Sequence, residues 1–335
     1  MRTVKNNAMS QKRRALGLFS GGLDSMLAAA VLREQGIEVA GVVFVTPFFG
    51  PERARESAAH IALPLIEEDL MERYYPLLVA PPHGFGSRHN PCIDCHTLML
   101  RQAGAIMESR GFDFLFTGEV LGQRPMSQHR GALLLVARES GCQDLIVRPL
   151  SARLLAPTKP ELLGWVDRQR LLDISGRSRK RQIELASRFG ISKYPSPAGG
   201  CLLTDPGYAK RLKELLARMD KPSRRDLELL KWGRHFRLPG GAKVVVGRTH
   251  KENEAIGLLL DNQDLILRVQ GFPGPLVLAS GASDQGAMAE AALLAASYSD
   301  AAEGQEVIVS ARQAGQTHMV KVTAAPKGRF KEWLI

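Results

Sequence analysis

Ser20-Gly21-Gly22-Leu23-Asp24-Ser25 is the stretch on which the reading of this chain turns. An apolar run, 15–19, precedes it, and an apolar-rich segment, 23–32, follows it with helical spacing. A strand, a tight glycine turn and a helix start make an anion site. The glycines let backbone come close to a ligand, and the free N–H groups of the first helical turn point at it. Ser20 and Ser25 add hydroxyl donors, and Asp24 is placed to hold a magnesium ion, Mg2+, bridging phosphate oxygens. There is no Gly-Lys-Ser/Thr, so this is not a Walker loop. The bland alternative is a Gly-Gly turn capped by Asp24 or a serine. Two glycines, two serines and an aspartate at one junction favour the nucleotide site.

Working outward, short apolar runs alternate with helical stretches up to about residue 151. Segments 39–45, 63–66, 112–116 and 144–147 read as further strands, the first of them beside 15–19. This rhythm predicts an α/β fold with a doubly wound parallel sheet. Ligands gather at the carboxyl ends of such strands, which puts Gly118 and Glu119, after the 112–116 strand, in the crevice of the glycine turn. Segment 157–178 reads as a helix and connector, and 205–219 as a helix with Tyr208, Leu212, Leu215, Leu216 and Met219 on one face. Beyond 238–241 the rhythm changes. Strands at 243–246, 265–269, 276–278, 306–311 and 319–323, with helices at 251–260 and 287–296, predict a smaller α+β domain. The expected division is a basic extension 1–14, a catalytic domain 15–205, a basic helical connector 206–238 and a domain 239–335.

The 335 residues leave room for two cores. No apolar run approaches the ~18 residues of a membrane span. The basic N-terminus is followed by only five apolar residues, too few for a signal peptide. Four cysteines make no disulfide scaffold, so a reducing cytoplasm is the expected compartment. With 45 Lys+Arg against 34 Asp+Glu, the surplus points to a polyanionic partner, most often nucleic acid. Part of it sits at Arg179, Lys180 and Arg181. More lies between 207 and 237, where ten basic residues, Arg224 and Arg225 among them, face four acids. Scattered lysines suit a solvated face; so dense a strip favours RNA.

Asn90-Pro91-Cys92-Ile93-Asp94-Cys95 puts a C-x-x-C at the start of a helix, where a thiol pKa is lowered. A third cysteine, Cys201, follows Gly199-Gly200. Three thiols make a poor structural zinc set. They suit a [4Fe–4S] cluster with one iron open, a persulfide-carrying pair, or plain structural thiols. Cys142 stands outside any motif and reads as packing.

These stretches carry family resemblances. SGGLDS resembles the PP-loop of the adenine-nucleotide α-hydrolase-type ATP pyrophosphatases, which implies ATP cleavage between the α and β phosphates and adenylation of a carbonyl or carboxyl oxygen. Thr117-Gly118-Glu119-Val120-Leu121-Gly122-Gln123 resembles the Thr-Gly-Glu-Ser-Leu-Gly-Gln segment of tRNA 4-thiouridine synthases. Asn-Pro-Cys-x-x-Cys resembles a segment of the tRNA 2-thiouridine synthases, which also use a later cysteine in a Gly-Cys context. The run from Val244 through Gly247-Arg248-Thr249-His250-Lys251-Glu252-Asn253 resembles the RNA-binding domain of NFACT-type ribosome quality-control proteins. Together they imply ATP-dependent tRNA thiolation. Asp24, Cys92, Cys95 and Cys201 would be catalytic; Ser20, Gly21, Gly22, Asp24, Ser25 and Gly118 would bind ATP. Arg179, Lys180, Arg181, Arg224, Arg225 and Arg248 would hold RNA. The implied partners are tRNA and a sulfur donor, either sulfide or a persulfide carrier. Two other classes are a PP-loop ligase joining ammonia to a small carboxylate, and an RNA-binding quality-control factor.

Overall fold

The computed structural model describes residues 12–196, 201–282 and 284–335. Most of the basic extension and the Gly199-Gly200 pair before Cys201 lie outside them. The chain divides into two compact units, Met1–Thr204 and Asp205–Ile335.

In the first unit the chain runs through β1 (Arg14–Leu18), α1 (Leu23–Arg33), β2 (Glu38–Val45), α2 (Glu52–His60), β3 (Leu65–Asp69), α3 (Met71–Val79) and α4 (Cys92–Ser109). It continues through β4 (Phe114–Thr117), α5 (Arg130–Ser140), β5 (Ile146–Val147), α6 (Lys159–Leu162) and α7 (Lys180–Arg188). Among the described residues the five strands form one parallel sheet in the order β3-β2-β1-β4-β5. The expected α/β class and doubly wound sheet are present. Ala15, Leu16 and Gly17 are buried, as a central strand covered on both sides requires. Leu18 pairs with Val42 on one side and Thr117 on the other, so β1 and β4 end level while β2 continues past them to Val45. The strand order reverses at β1, and the crevice there is where doubly wound sheets take ligands. Leu23, Met26, Leu27 and Val31 of α1 pack into the core under this end.

Several expected elements differ, the 112–116 strand starting only at Phe114. The 157–178 helix shrinks to α6 and a 3-10 turn at Arg168–Arg170, because Gly164 adopts a left-handed φ of 68° two residues after α6. The fifth strand keeps only two residues, its first half being a 3-10 turn at Gln143–Leu145. The third strand begins at Leu65 rather than 63.

The second unit opens with α8 (Pro206–Leu216) and α9 (Arg224–Leu229), then β6 (Arg234–Arg237), β7 (Lys243–Val246), α10 (His250–Gly257), β8 (Leu265–Val269) and β9 (Val277–Ser280). It closes with α11 (Gln285–Ser297), β10 (Glu306–Gln313) and β11 (Gln316–Thr323). The strands form an antiparallel sheet in the order β11-β10-β8-β9-β7-β6. Alanines 287, 291, 292, 295 and 296 let α11 settle closely on one face, with Val244, Leu267, Val277 and Val309 beneath. α8 buries Tyr208, Leu212 and Leu215 as its periodicity predicts, while Met219 falls past its end and is 42% exposed. Strand β6 was hidden in the sequence by its Arg-His-Phe-Arg composition. Among the described residues no helix is long and apolar enough to cross a membrane.

Candidate active site

The turn from β1 into α1 is built around Gly21. Its φ of +72° is left-handed, and a Cβ there would lie 2.4 Å from the Arg53 carbonyl oxygen, so a side chain is excluded twice over. The Ser57 hydroxyl donates to the Gly21 carbonyl at 2.8 Å and pins the turn to α2. Gly118, following β4, closes the other side. A Cβ on it would meet the Asp24 carbonyl carbon and the Ser25 nitrogen at 2.6 Å, so backbone lies directly against the first turn of α1. Ser20 is exposed. Ser25 is buried and its hydroxyl donates to the Gly22 carbonyl at 2.8 Å, so it braces the turn instead of facing a ligand.

Asp24 is the centre of the site. Its Oδ2 accepts a 2.8 Å hydrogen bond from Gln123 Nε2, while Oδ1 is buried with no hydrogen-bond partner among the described residues. Burial raises its carboxyl pKa, opposed by the Gln123 bond, by Arg179 and Arg124, and by Gln182. Gln182, fully buried on α7, donates to Gln123 Oε1 at 3.5 Å. Arg179 caps the same helix, and its Nε is likewise buried without a partner among the described residues. An unpartnered carboxylate oxygen and an unpartnered guanidinium nitrogen beside a glycine turn fit a triphosphate with its cation. The sequence named Arg179 for RNA, but its charge reaches Asp24. Gln123 closes the Thr117–Gln123 motif but was given no role, and nothing in the sequence marks Gln182.

Glu119 does not face the crevice as expected. It is buried, accepts 3.0 Å bonds from Thr117 Oγ1 and Arg148 Nε, and lies 3.5 Å from His96 Nδ1. Burial alone would raise its carboxyl, but Arg148, His96 and Thr117 outweigh that and hold it at about 2. It braces β4 to α4 and to the end of β5.

The three motif cysteines converge. Cys92 opens α4, and its sulfur accepts from Asn90 Nδ2 at 3.1 Å. Cys95, one turn on, is buried against the Tyr74 hydroxyl, which donates to its sulfur. Cys201 is held in place by the segment after it, where Leu202 N donates to Phe48 O at 3.1 Å and His89 N donates to Leu203 O at 3.4 Å. Burial pushes the Cys201 thiol up to about 11, with Cys92 adding to the rise. Burial likewise raises Cys95, followed by Cys201 and Cys92, so the helix start does not yield the lowered Cys95 pKa expected from sequence. The expected cradle for a [4Fe–4S] cluster is not formed. Among the described residues no three His, Cys, Asp or Glu side chains stand where they could hold a metal ion. The physical reason is Cys95, sunk in the core and committed to Tyr74. Cys142 lies apart, its sulfur packed toward Gly104.

Residues 10–153 match the family Thiamine biosynthesis protein (ThiI), and residues 233–334 match the NFACT protein RNA binding domain. The chain thus joins a segment similar to ThiI to a segment similar to the NFACT RNA-binding domain. The tRNA-specific 2-thiouridylase MnmA of Pelobacter propionicus is 32% identical over 217 residues, covering 58% of this chain and 56% of that one. The tRNA sulfurtransferase of Desulfurococcus amylolyticus is 29% identical over 172 residues, 49% of this chain and 34% of that one. Across curated relatives of this kind the chain spans from 33% to 59% of their length. A solved 4-thiouridine synthetase–RNA complex with bound ATP aligns at a TM-score of 0.37 and 21% identity, over 65% of this chain and 52% of that one.

In the NFACT-type domain the basic residues singled out for RNA are largely engaged internally. Arg225 is paired with buried Asp264 and donates to the Leu259 carbonyl at 2.5 Å. Arg248 grips Glu252 through both backbone and guanidinium, Nε to Oε1 at 2.9 Å, so the Gly-Arg…Lys-Glu-Asn block acts as a clasp at the start of α10. Arg237 and Arg218 share Glu214, and Lys231 pairs with Glu228. Arg224 is exposed at the first residue of α9. In the ThiI-type unit Lys180 is exposed, and Arg181 is exposed but bonded to Asp173 at 2.7 Å.

Proposed function

We propose that the chain is an ATP-dependent tRNA sulfurtransferase acting in the cytoplasm. The observation that carries this reading is the position of Arg124. Burial raises both the Asp24 carboxyl and the Cys201 thiol, and Arg124 pulls both down, so one guanidinium lies within electrostatic reach of the nucleotide turn and of the thiols. A chemistry that activates an oxygen with ATP and then replaces it with sulfur needs that proximity.

The turn of Gly21, Gly22 and the α1 N–H groups would bind the phosphates, with Arg179 on their flank. Asp24 Oδ1 would hold Mg2+, which when bound neutralises phosphate charge and orients the α-phosphorus. A uridine carbonyl oxygen attacks that phosphorus, pyrophosphate leaves, and the neighbouring ring N–H loses its proton. The oxygen is then part of AMP, a good leaving group.

In this reading the cysteines carry the sulfur themselves. Cys201 takes a sulfane sulfur from a persulfide carrier, which departs as its thiolate. The terminal sulfur attacks the activated carbon and AMP leaves. Cys92 then attacks Cys201 Sγ, the thiocarbonyl is released, and the resulting Cys92–Cys201 disulfide is reduced by an external dithiol. Tyr74 and Cys95 form the buried wall behind this pair.

The test is nucleoside mass spectrometry after incubating the purified chain with tRNA, ATP, Mg2+ and a persulfide donor. Thiolated uridine with matching AMP and pyrophosphate is the expected product. AMP formed equally well without tRNA, and no thionucleoside, would transfer the chain to the small-carboxylate ligases.

A further inference from the structure

One face of the antiparallel sheet packs against α11, and the other is covered only in part. There Leu229 and Ile256, from α9 and α10, pack on Val245, Leu278 and Ile266, which belong to β7, β9 and β8. Strands β10 and β11 extend past this cover. Along β10 the core residues Val307, Val309 and Ala311 alternate with Ile308, Ser310 and Arg312, so the latter point away from α11. The register maps the open area. Arg268 lies beside Ser310 and Ser310 beside Met319, while Arg312 lies beside Thr317.

Two features of this area do nothing for the fold. Ile308 is 49% and Met319 66% exposed, an apolar strip facing water. Arg268 and Arg312 are diagonal neighbours, both exposed, and neither has a hydrogen bond or ion pair among the described residues. Lys321 on the same face is neutralised by Glu306 at 2.6 Å, so the uncompensated charge there is the two arginines. Like charges set side by side repel, and an exposed apolar strip is costly. Both become useful against a partner that is negatively charged and presents flat, weakly polar surfaces. RNA has that chemistry: phosphates for the guanidinium forks, and ribose or base faces for Met319 and Ile308.

We propose that the open face of β8, β10 and β11 is the RNA-contact surface of this domain. Phosphates bind at Arg268 and Arg312, and the sugar–base side lies on Met319 and Ile308. The inference rests on the RNA reading above and relocates its site from the 207–237 strip, most of whose arginines are committed internally.

The experiment measures binding of fluorescent tRNA to the full chain over roughly 50–200 mM salt. Arg268→Glu with Arg312→Glu should weaken binding and make the slope of log K against log salt shallower by about 1.5, two counterion releases being lost. Arg268→Gln with Arg312→Gln should shift the slope the same way without charge reversal, and Met319→Ser should weaken binding with the slope unchanged. ATP binding should be unaffected in all three. Wild-type affinity and slope in both arginine variants would overturn the proposal. So would a change from oligomer to monomer with RNA binding intact, which would make the face a contact with a second copy. If the unaltered chain binds no tRNA at any salt, the RNA reading itself fails, which is distinguishable from failure of this face alone.

Discussion

Gln123 Nε2 reaches 2.8 Å to Asp24 Oδ2, joining the loop after β4 to the first turn of α1 across ninety-nine positions of sequence. Gln182 in turn donates to Gln123. The pair fixes one carboxylate oxygen and leaves the other, Oδ1, buried without a hydrogen-bond partner among the described residues. That arrangement suits the proposed cation and phosphate.

Gln123→Ala should therefore disorder Asp24 without unfolding the chain. A hydrogen bond to a charged group contributes about 1.5–3 kcal/mol, so the Mg2+ concentration for half-maximal pyrophosphate release should rise about tenfold or more. Asp24→Ala should abolish release. An unchanged Mg2+ requirement in Gln123→Ala would show that the bond is incidental.

Glu119 gives the chain a defined acid sensitivity. Its folded pKa of about 2 lies below its ordinary 4.5, so the stability it contributes is complete above pH 4.5 and is lost as pH falls toward 2. Arg148→Met removes the main compensation for burial. It should cost about 3–5 kcal/mol near neutral pH, with part of the loss recovered in acid, where the orphaned carboxyl becomes protonated. Urea unfolding at several pH values reads this directly. Equal losses at neutral and acid pH would mean that Arg148 matters only for packing.

What could be read in advance followed periodicity and backbone demand. Apolar runs marked β1 and β2, and only a glycine could occupy position 21, so the turn declared itself. The placing of β2 beside β1 and the crevice beside Gly118 followed from that junction. Long-range side-chain choices left no such trace. Gln182 is an unremarkable polar residue until α7 packs against α1, and the motif that contains Gln123 does not reveal that its partner is Asp24. Glu119 looked like a crevice acid because Arg148, which captures it, is 29 positions away. The basic strip misled for the same reason. Charge is visible in sequence, whereas the partner that neutralises it is not, and Asp264 stands 39 positions from Arg225.

That last pair can be tested. Arg225 was expected to touch RNA, but it is paired with an Asp264 whose side chain is only 4% exposed. Arg225→Ala should lower the domain's stability by about 3 kcal/mol, while Lys210→Ala, exposed on α8, should change it by less than about 0.5. The readout is the urea midpoint. A neutral Arg225→Ala would restore it to the list of available RNA contacts.

The cysteines separate the two sulfur chemistries. If Cys201 carries the persulfide and Cys92 resolves it, protein loaded by a persulfide donor should show one added sulfur on the peptide containing Cys201, and none in Cys201→Ser. Cys92→Ser should still accept that sulfur and still release pyrophosphate. After one encounter with adenylated RNA, however, it should remain joined to the RNA through the persulfide, because nothing attacks Cys201 Sγ. Cys95→Ala should chiefly cost stability, since its sulfur is buried against Tyr74. Cys142→Ala should keep both sulfur loading and thiolation. The decisive measurement is iron. Chain prepared and reconstituted without oxygen should thiolate tRNA while holding no stoichiometric iron. Brown protein with about four irons per chain, losing iron and activity together in each of Cys92→Ser, Cys95→Ser and Cys201→Ser, would reinstate the cluster and discard the persulfide route.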